Sequence, residues 1–258
     1  MNINRSCVIS TIALLAGFSA HAADADKANV TRLFRDVVDP KNQADYENGV
    51  KAYNKCLAEH GVKATWMAWG HETGNVYMYS YATGHHTWAD FDTMHTVSKP
   101  CDAVWRSAAN PYLQGEISVF AIDQPELSHM PKELDATPAL ISVTLFSLSD
   151  KYGSDDAFTE AMKKVAAAAE KSKWSRPYTV MKTRAGDSGS PDYILLTPYK
   201  NWEAFGAGAN PTLWKMVEGV YGKDDTETLR KSLNEALKDV SNHVDAYNEE
   251  LTYTPPKK

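Results

Sequence analysis

Cysteine is scarce in this sequence, with three residues among 258. Cys7 lies in an N-terminal segment that we expect to be removed, which leaves Cys56 and Cys101. A zinc site would need more thiolates or suitably spaced histidines, and a redox pair usually has the spacing Cys-x-x-Cys; neither pattern is present. The two cysteines are therefore predicted to form a disulfide in an oxidising compartment.

Positive charge is also limited. The chain has 27 lysines and arginines against 33 aspartates and glutamates, with a net charge of −6. The basic residues are scattered among acidic ones, and no basic stripe alternates with aromatic residues. This pattern argues against nucleic acid as a partner.

Long apolar runs and the common catalytic motifs are missing. Beyond the N-terminus no apolar stretch is long enough to cross a membrane, so we expect no stable membrane insertion. The sequence has no Gly-x-Ser-x-Gly element, no phosphate-binding glycine-rich loop and no dinucleotide-binding fingerprint. Serine hydrolases of that type, P-loop enzymes and Rossmann enzymes can be set aside.

The first 22 residues have the pattern of a signal peptide. Arg5 supplies a positive charge, residues 8–18 form a short apolar core, and Ala20-His21-Ala22 is a small-residue cleavage site. We expect cleavage after Ala22 and a periplasmic or secreted mature protein.

Two matching junctions indicate an internal repeat. Residues 79–91 and 193–205 each begin with a strand-like run that opens on tyrosine, and each passes through a turn into Trp-x-x-Phe. Upstream, Leu33, Phe34 and Tyr46 align with leucine and phenylalanines of the second half at one constant offset. The sequence therefore predicts two β-α-β-β-α-β units, each with the ferredoxin-like arrangement.

The repeat divides the mature chain into segments. We predict a first unit over residues 23–123, a linker over 124–138, a second unit over 139–254 and a tail over 255–258. In the second unit, a long helix is expected at about residues 226–247 and a closing strand at 250–254.

This element order resembles the dimeric α/β-barrel superfamily, which is typified by the antibiotic biosynthesis monooxygenases. The resemblance rests on the order of elements, the Asp-Pro-Lys break before the first helix and the strand-to-Trp-x-x-Phe junctions. It implies an α+β fold in which two ferredoxin-like units pack sheet to sheet, here fused in tandem as a pseudo-dimeric α/β barrel. Under this fold a Cys56–Cys101 bond joins the two helical regions of the first unit, and the fused chain is expected to be a monomer.

Strand alternation suggests which residues line a site. The aliphatic row Ile141, Val143 and Leu145 is expected to face the helices, so Arg32, Phe34 and Asp36 would face the other way. We predict catalytic roles for Arg32, Asp36 and Tyr79. The candidate binding residues are Phe34, Trp66, Trp69, Tyr77, Tyr81, His85, His86 and His95.

Simpler interpretations of the same residues remain open. The tyrosine row on the third strand fits core packing as well as a substrate-binding wall, and either Trp66 or Trp69 shares its face. Arg32 and Asp36 could form a structural ion pair. The turn at His85 and His86 matches no established metal pattern.

Haem is a further alternative. In haem-degrading members of the resembled superfamily a histidine on the second helix binds the iron, and His95 lies in roughly that region.

The resemblance and the aromatic rows together predict an exported protein that binds a small apolar or aromatic molecule. A cofactor-independent monooxygenase reaction is the leading hypothesis. A non-catalytic binding module in the cell envelope and a haem-binding or haem-degrading protein are the alternatives.

Overall fold

A computed structural model describes residues 28–131 and 137–256 of the chain. The predicted signal peptide at 1–22 and part of the predicted linker lie outside these ranges. Within this part of the chain, no helix combines the length and the apolar character that a membrane span needs.

The elements of the first half alternate between strands and helices. They are β1 (Val30–Val38), α1 (Gln43–Glu59), β2 (Trp66–His71), β3 (Met78–Thr83), α2 (Trp88–Ser98), α3 (Asp102–Ala108) and β4 (Leu113–Asp123). Asp39 and Pro40 end β1, and Gly61, at φ 67°, lies just after α1. A capping box between Thr87 and Asp90 starts α2.

The second half has the same kinds of element in a similar order. They are β5 (Leu140–Leu148), α4 (Ser154–Ser172), β6 (Thr179–Ala185), β7 (Tyr193–Tyr199), α5 (Trp202–Gly206), α6 (Leu213–Tyr221), α7 (Lys223–Ala236) and β8 (Leu237–Tyr247). Between the halves, part of the segment predicted as a linker is packed: Leu127 is buried, and His129 forms a backbone bridge with Tyr178.

The eight strands form one closed antiparallel barrel. Its order is β1-β3-β2-β8-β5-β7-β6-β4, and β4 pairs with β1 to close it. Each half contributes four neighbouring strands in the same relative order, β4-β1-β3-β2 and β8-β5-β7-β6. The predicted α+β class is thus confirmed, and the described strands close into a single barrel.

The C-terminal prediction was wrong in two respects. The helix expected over residues 226–247 ends at Ala236, and Leu237–Tyr247 forms β8. Residues 250–254 form no strand and contribute only an isolated bridge between Tyr253 and Trp66. The physical reason is tertiary: β8 hydrogen-bonds to β2 on one side and to β5 on the other, which outweighs local helix preference.

The predicted orientation of the strands was also wrong. Ile141, Val143 and Leu145 face the barrel interior, where they pack with Trp69 and residues of other strands. Phe146 packs instead against the helices of its half. An aliphatic row suits either face of a sheet that is covered on both sides. Alternation therefore predicted which residues share one face of a strand, but not whether that face points to the helices or to the barrel interior.

Because β1 and β5 align residue by residue, the same correction applies to the residues of β1. Arg32, Phe34 and Asp36 do not face the barrel interior. They face α1 and α3, on the outer side of the sheet.

The predicted disulfide between Cys56 and Cys101 is present. It joins α1 to the residue before α3, and both cysteines are buried. On the chain-entropy model, closing a loop of 45 residues stabilises the fold by about 4 kcal/mol. The bond therefore holds together the two helices that cover the sheet of the first half.

Candidate functional site

Three strands of the first half align polar and aromatic side chains on the face toward α1 and α3. Asp36 on β1 pairs with Tyr79 on β3 and with Glu116 on β4. Phe34 pairs with Tyr81 and Ser118 in the next rung on the same face. Because directly paired residues share a face of the sheet, these side chains form one continuous surface.

A cavity of about 500 Å³ lies between this surface and the helices. Its lining comes from four strands and two helices: Arg32, Phe34, Asp36, Val50, Tyr53, Trp66, Tyr81, Asp102, Trp105, Arg106 and Glu116. The volume lies in the range of small-molecule sites, and the lining combines six apolar or aromatic residues with five charged ones.

Asp36 is the most unusual residue of this cavity. Its side chain is 1% exposed. Tyr46 Oη donates to Asp36 Oδ2 at 2.5 Å and lies 2.7 Å from Tyr81 Oη, so Tyr81 donates to Tyr46 when Asp36 is ionised. Oδ1 of Asp36 is buried and has no hydrogen-bond partner among the residues described.

Burial sets the protonation of this carboxyl. Loss of solvation raises the pKa of Asp36 to about 7, the hydrogen bond from Tyr46 acts against the rise, and the charge of Glu116 adds to it. The pKa values of Tyr46 and Tyr81 are raised, mainly by burial, so both phenols stay protonated as donors. Asp36 can therefore accept or release a proton near neutral pH.

Arg32 provides a cation on the same face. Its guanidinium carbon lies 4.5 Å from the ring centre of Phe34 and 5.2 Å from that of Phe120. Nε donates to Ser118 Oγ at 3.0 Å, which fixes the plane of the group. Burial lowers the pKa of Arg32, although the guanidinium remains charged at neutral pH.

Aromatic rings form the far wall. Tyr53 of α1 stacks on Trp66 of β2 at 5.5 Å between centroids, and Trp105 of α3 meets Tyr53 edge to face at 5.3 Å. Small residues on β2 leave room beside the tyrosines, since Ala68 pairs with Tyr81 and Gly70 with Tyr79. This wall suits a flat, aromatic ligand.

The structure brings together five of the predicted site residues: Arg32, Phe34, Asp36, Trp66 and Tyr81. Tyr79 is their neighbour but points its hydroxyl to α1, where it donates to Glu47 at 2.7 Å and accepts from Gln43. Its ring packs on Tyr46, 5.0 Å between centroids. Tyr79 thus supports the tyrosine network from behind the cavity.

The other predicted residues lie elsewhere. Trp69 faces the barrel interior, and Tyr77 is exposed before β3. His85 is exposed and lies 3.4 Å from Asp123, while the ring of His86 packs on Phe91. His95 is exposed on α2. These three histidines do not converge.

Sequence reasoning missed several contributors, among them Tyr46, Tyr53, Trp105 and Glu116. Tyr46 and Tyr53 lie seven residues apart on α1, a helical spacing that by itself indicates only a core-facing side. A signal was available for Tyr46, because the aligned residue of the second half is Phe158, which has no hydroxyl. A polar group at one of two matched core positions suggests a specific task.

The equivalent space in the second half is filled. Phe158, Met162 and Tyr193 pack there with residues from α6 and α7. At the positions aligned with Arg32 and Asp36, β5 has Thr144 and Leu148, and Leu148 belongs to the packed core. The two halves therefore share a scaffold but differ in polar residues.

Haem fits this cavity poorly. No histidine, cysteine or methionine belongs to the described residues that line it. His95, the candidate iron ligand, is exposed on α2 and is not among them. We therefore derive no chemistry through haem.

The fold of this chain is shared with solved structures of other proteins. The sequence matches no protein-family model and no curated protein. Solved structures match over most of the chain. An anthrone oxidase-like protein aligns with 91% of this chain and 96% of its own, at 11% identity and a TM-score of 0.57. This chain has the same fold.

Two further structures agree. A candidate monooxygenase from Lactobacillus acidophilus NCFM covers 88% of this chain and 97% of its own, at 9% identity and a TM-score of 0.54. Chlorite dismutase from Candidatus Nitrospira defluvii, in complex with imidazole, covers 88% and 95%, at 11% identity and a TM-score of 0.52. These neighbours fit the dimeric α/β-barrel superfamily; at such low identity the likeness shows the fold alone.

Proposed function

We propose that this protein is a cofactor-independent monooxygenase that acts on a small aromatic molecule in the cavity of the first half. The observation that carries the proposal is Asp36: a buried carboxyl with a pKa near 7 and one oxygen without a partner among the described residues, in a cavity that Arg32 and an aromatic wall also line. Fold-level likeness to a candidate monooxygenase and an anthrone oxidase-like protein raises the prior for this reaction class.

Asp36 is the general base in this proposal. A base is most effective when its pKa lies near the working pH, and Asp36 meets that condition. In this proposal its Oδ1, which has no hydrogen-bond partner among the described residues, takes a proton from an activated C–H or phenolic O–H group. The tyrosine pair on Oδ2 holds the carboxyl in place during the transfer.

Arg32 stabilises the anion that forms. Deprotonation of an activated methylene places negative charge on the carbonyl oxygen that is conjugated with it. A fixed guanidinium in a partly dry site stabilises such charge strongly. The electron-rich anion then reacts with O2. The overall conversion balances as one methylene and one O2 giving one ketone and one water.

The test uses an anthrone as substrate and follows O2 uptake. Asp36→Asn keeps the shape and the hydrogen bond from Tyr46 but cannot accept the proton, so we expect the rate to fall by about 100-fold or more with little change in binding. Asp155→Asn is the matched control, because Asp155 accepts from Tyr193 in the second half. Equal rates for the wild type and Asp36→Asn would refute the assignment.

A binding module without catalysis is the second candidate, favoured by the absence of sharp catalytic motifs. Fluorescence titration with the same anthrone separates the two functions. Binding that Trp105→Ala weakens, with no O2 uptake at any pH, would support the module. A spectrum recorded with added haem checks the third alternative, and we expect no Soret shift.

We further propose that the two halves are fused copies of one unit and that the protein is a monomer. The repeated strand order and the constant sequence offset support the fusion. The described strands close into a barrel within one chain, which leaves none of them with an open edge for a partner. Light scattering should give the mass of one chain, and an obligate dimer would contradict this.

Export remains part of the proposal. The Cys56–Cys101 bond supports it, because disulfides persist mainly in oxidising compartments. N-terminal sequencing of protein from the periplasmic fraction should begin at Ala23. A cytoplasmic protein that retains residues 1–22 would contradict export.

A further inference from the structure

A second group of polar side chains lies inside the barrel, apart from the cavity under α1 and α3. β2 ends on His71, and Asp245 of β8 lies directly opposite it. His243 comes two residues before Asp245 on the same strand and so faces the same side. Two imidazoles and one carboxylate thus meet where the strands of the two halves join.

The distances among these groups fit a shared metal ion. His71 Nε2 and His243 Nε2 lie 3.6 Å and 3.4 Å from Asp245 Oδ1. The ligand atoms of the three residues all lie within 4.8 Å of one another. Two ligands on a tetrahedral zinc ion, each at about 2.1 Å from it, are about 3.4 Å apart. A cation could therefore be bound with small side-chain movements.

Asp245 lacks the hydrogen bonds that a buried carboxylate needs. It is 1% exposed, and neither oxygen has a hydrogen-bond partner within the described part of the chain. Such groups are rare because losing water without a replacement is costly. Arg35 lines the same cavity and offsets some of the charge, but it makes no ion pair with Asp245 within 4.0 Å in the described structure. A bound cation would satisfy both oxygens.

The histidines are suited to the same role. A neutral imidazole has one ring nitrogen with a lone pair that can bind a metal ion. His71 Nε2 lies 2.8 Å from Ser80 Oγ, a hydrogen bond that metal binding through Nε2 would replace. The rings of His71 and His243 are stacked, with centroids 4.3 Å apart.

We propose that His71, His243 and Asp245 bind a divalent first-row transition metal, Zn²⁺ or Fe²⁺, inside the barrel. Two imidazoles and one carboxylate form the donor set of catalytic zinc sites and of non-haem iron sites, and both leave positions open. The assignment does not rest on the proposed oxygenase reaction, since the three ligand residues do not line the Asp36 cavity and lie on the opposite face of the sheet.

The open positions would face a second cavity. The barrel interior encloses about 360 Å³, and His243 and Asp245 line it together with Ser80 and Arg35. The remaining walls are mostly aliphatic, from residues such as Ile141 and Val143. The ligand class that fits is a small apolar molecule with an anionic oxygen group, which would bind the metal and Arg35 together.

A second group of potential metal ligands is not available to bind an ion. Cys56, His60 and Cys101 also lie within metal-binding reach of one another. Their two sulfurs are joined in the disulfide, however, so no thiolate is available there. His60 is therefore a matched control for loss of a histidine.

The test measures metal binding to the mature protein, prepared without a histidine tag and stripped with a chelator. Titration calorimetry with Zn²⁺ alone should give one ion per chain. His243→Ala and Asp245→Asn should each weaken binding by about 100-fold or more, whereas His60→Ala and His95→Ala should leave it unchanged. Thermal melts identify any variant that does not fold.

Cobalt substitution provides a measurement that needs no variant. Co²⁺ bound to the wild type should give visible ligand-field bands, and Zn²⁺ should displace them at one equivalent. In crystals soaked with Zn²⁺, an anomalous peak should lie among the three side chains. Absence of a stoichiometric ion from the folded wild type, or binding that survives both His243→Ala and Asp245→Asn, would overturn the proposal.

Discussion

At the scale of single residues, the protonation of Asp36 determines what the first-half cavity can do. The carboxyl is buried, one of its oxygens accepts from Tyr46, and the other has no partner among the described groups. Its pKa of about 7 is therefore both a functional property and a cost to stability.

The raised pKa of Asp36 predicts how the stability of the protein depends on pH. An unfolded Asp36 loses its proton near pH 4, whereas the folded protein keeps it until about pH 7. Between these values the unfolded state binds fewer protons, so the free energy of unfolding falls as the pH rises. From this group alone the fall is on the order of 4 kcal/mol. Urea unfolding at pH 4.5 and pH 8 should show it in the wild type.

Asp36→Asn is the decisive comparison, because the amide does not ionise. We expect the stability of this variant to change less between the two pH values, and the variant to be the more stable protein at pH 8. An identical pH dependence in both proteins would mean that Asp36 does not titrate in this window.

Tyr46→Phe tests the hydrogen bond to Asp36. That bond lowers the pKa of Asp36, so its removal should move the pKa above that of the wild type. Carboxyl ¹³C NMR titration measures the midpoint directly. Tyr193→Phe, which removes the tyrosine that donates to Asp155 in the second half, should leave the midpoint unchanged. An unshifted midpoint in Tyr46→Phe would contradict the network.

Sequence patterns found some of these residues and missed others for a physical reason. Arg32 and Asp36 stand out because they are charged residues in a strand. His243 and Asp245 alternate on β8, but the region was expected to be helical, which would have placed them on different faces. The pairing of Asp245 with His71 joins residues 174 positions apart, and no local pattern reports it.

At the scale of elements, the contact between α1 and α3 forms the roof of the cavity. The helices approach closely because residue 49 is glycine. A Cβ at Gly49 would collide with the carbonyl oxygen of Ala108 and lie 2.7 Å from Ala109 Cα. The disulfide fixes the same pair of helices nearby.

Gly49→Ala should therefore separate the helices. Alanine normally favours a helix over glycine, but here the collision is with backbone and cannot be relieved by a rotamer change. We expect a loss of about 1–3 kcal/mol of stability and weaker ligand binding. Gly219→Ala on α6 is a matched control, since a Cβ there meets nothing within 4 Å. If Gly49→Ala is as stable as Gly219→Ala, the helices do not depend on this contact.

β8 shows the limit of local patterns at this scale. Its sequence follows a helix without a proline or glycine to mark the change, since Ala236 is the last helical residue and Leu237 the first of the strand. Its extended form depends on two neighbouring strands that are distant in sequence. In contrast, Asp39 and Pro40 mark the end of β1 locally, and that boundary was predicted correctly.

At the scale of the molecule, the ferredoxin-like arrangement predicted for each half agrees with the order of its strands, but the predicted use of the two faces was wrong. Matching residues such as Phe34 and Phe146 occupy equivalent places against the helices of their halves. The halves then diverge: the first keeps a polar cavity, and the second is packed with apolar side chains. A single copy of the site is therefore expected per chain.

The central claim is that Asp36 acts as a base in that cavity, and the pH dependence of kcat/KM for anthrone-dependent O2 uptake tests it most directly. For the wild type we expect a rise with pH through a midpoint near 7, the pKa of Asp36 in the free protein. Asp36→Asn should lose that midpoint and be slower by about 100-fold at pH 8. A midpoint near 7 that persists in Asp36→Asn, at a comparable rate, would contradict the claim.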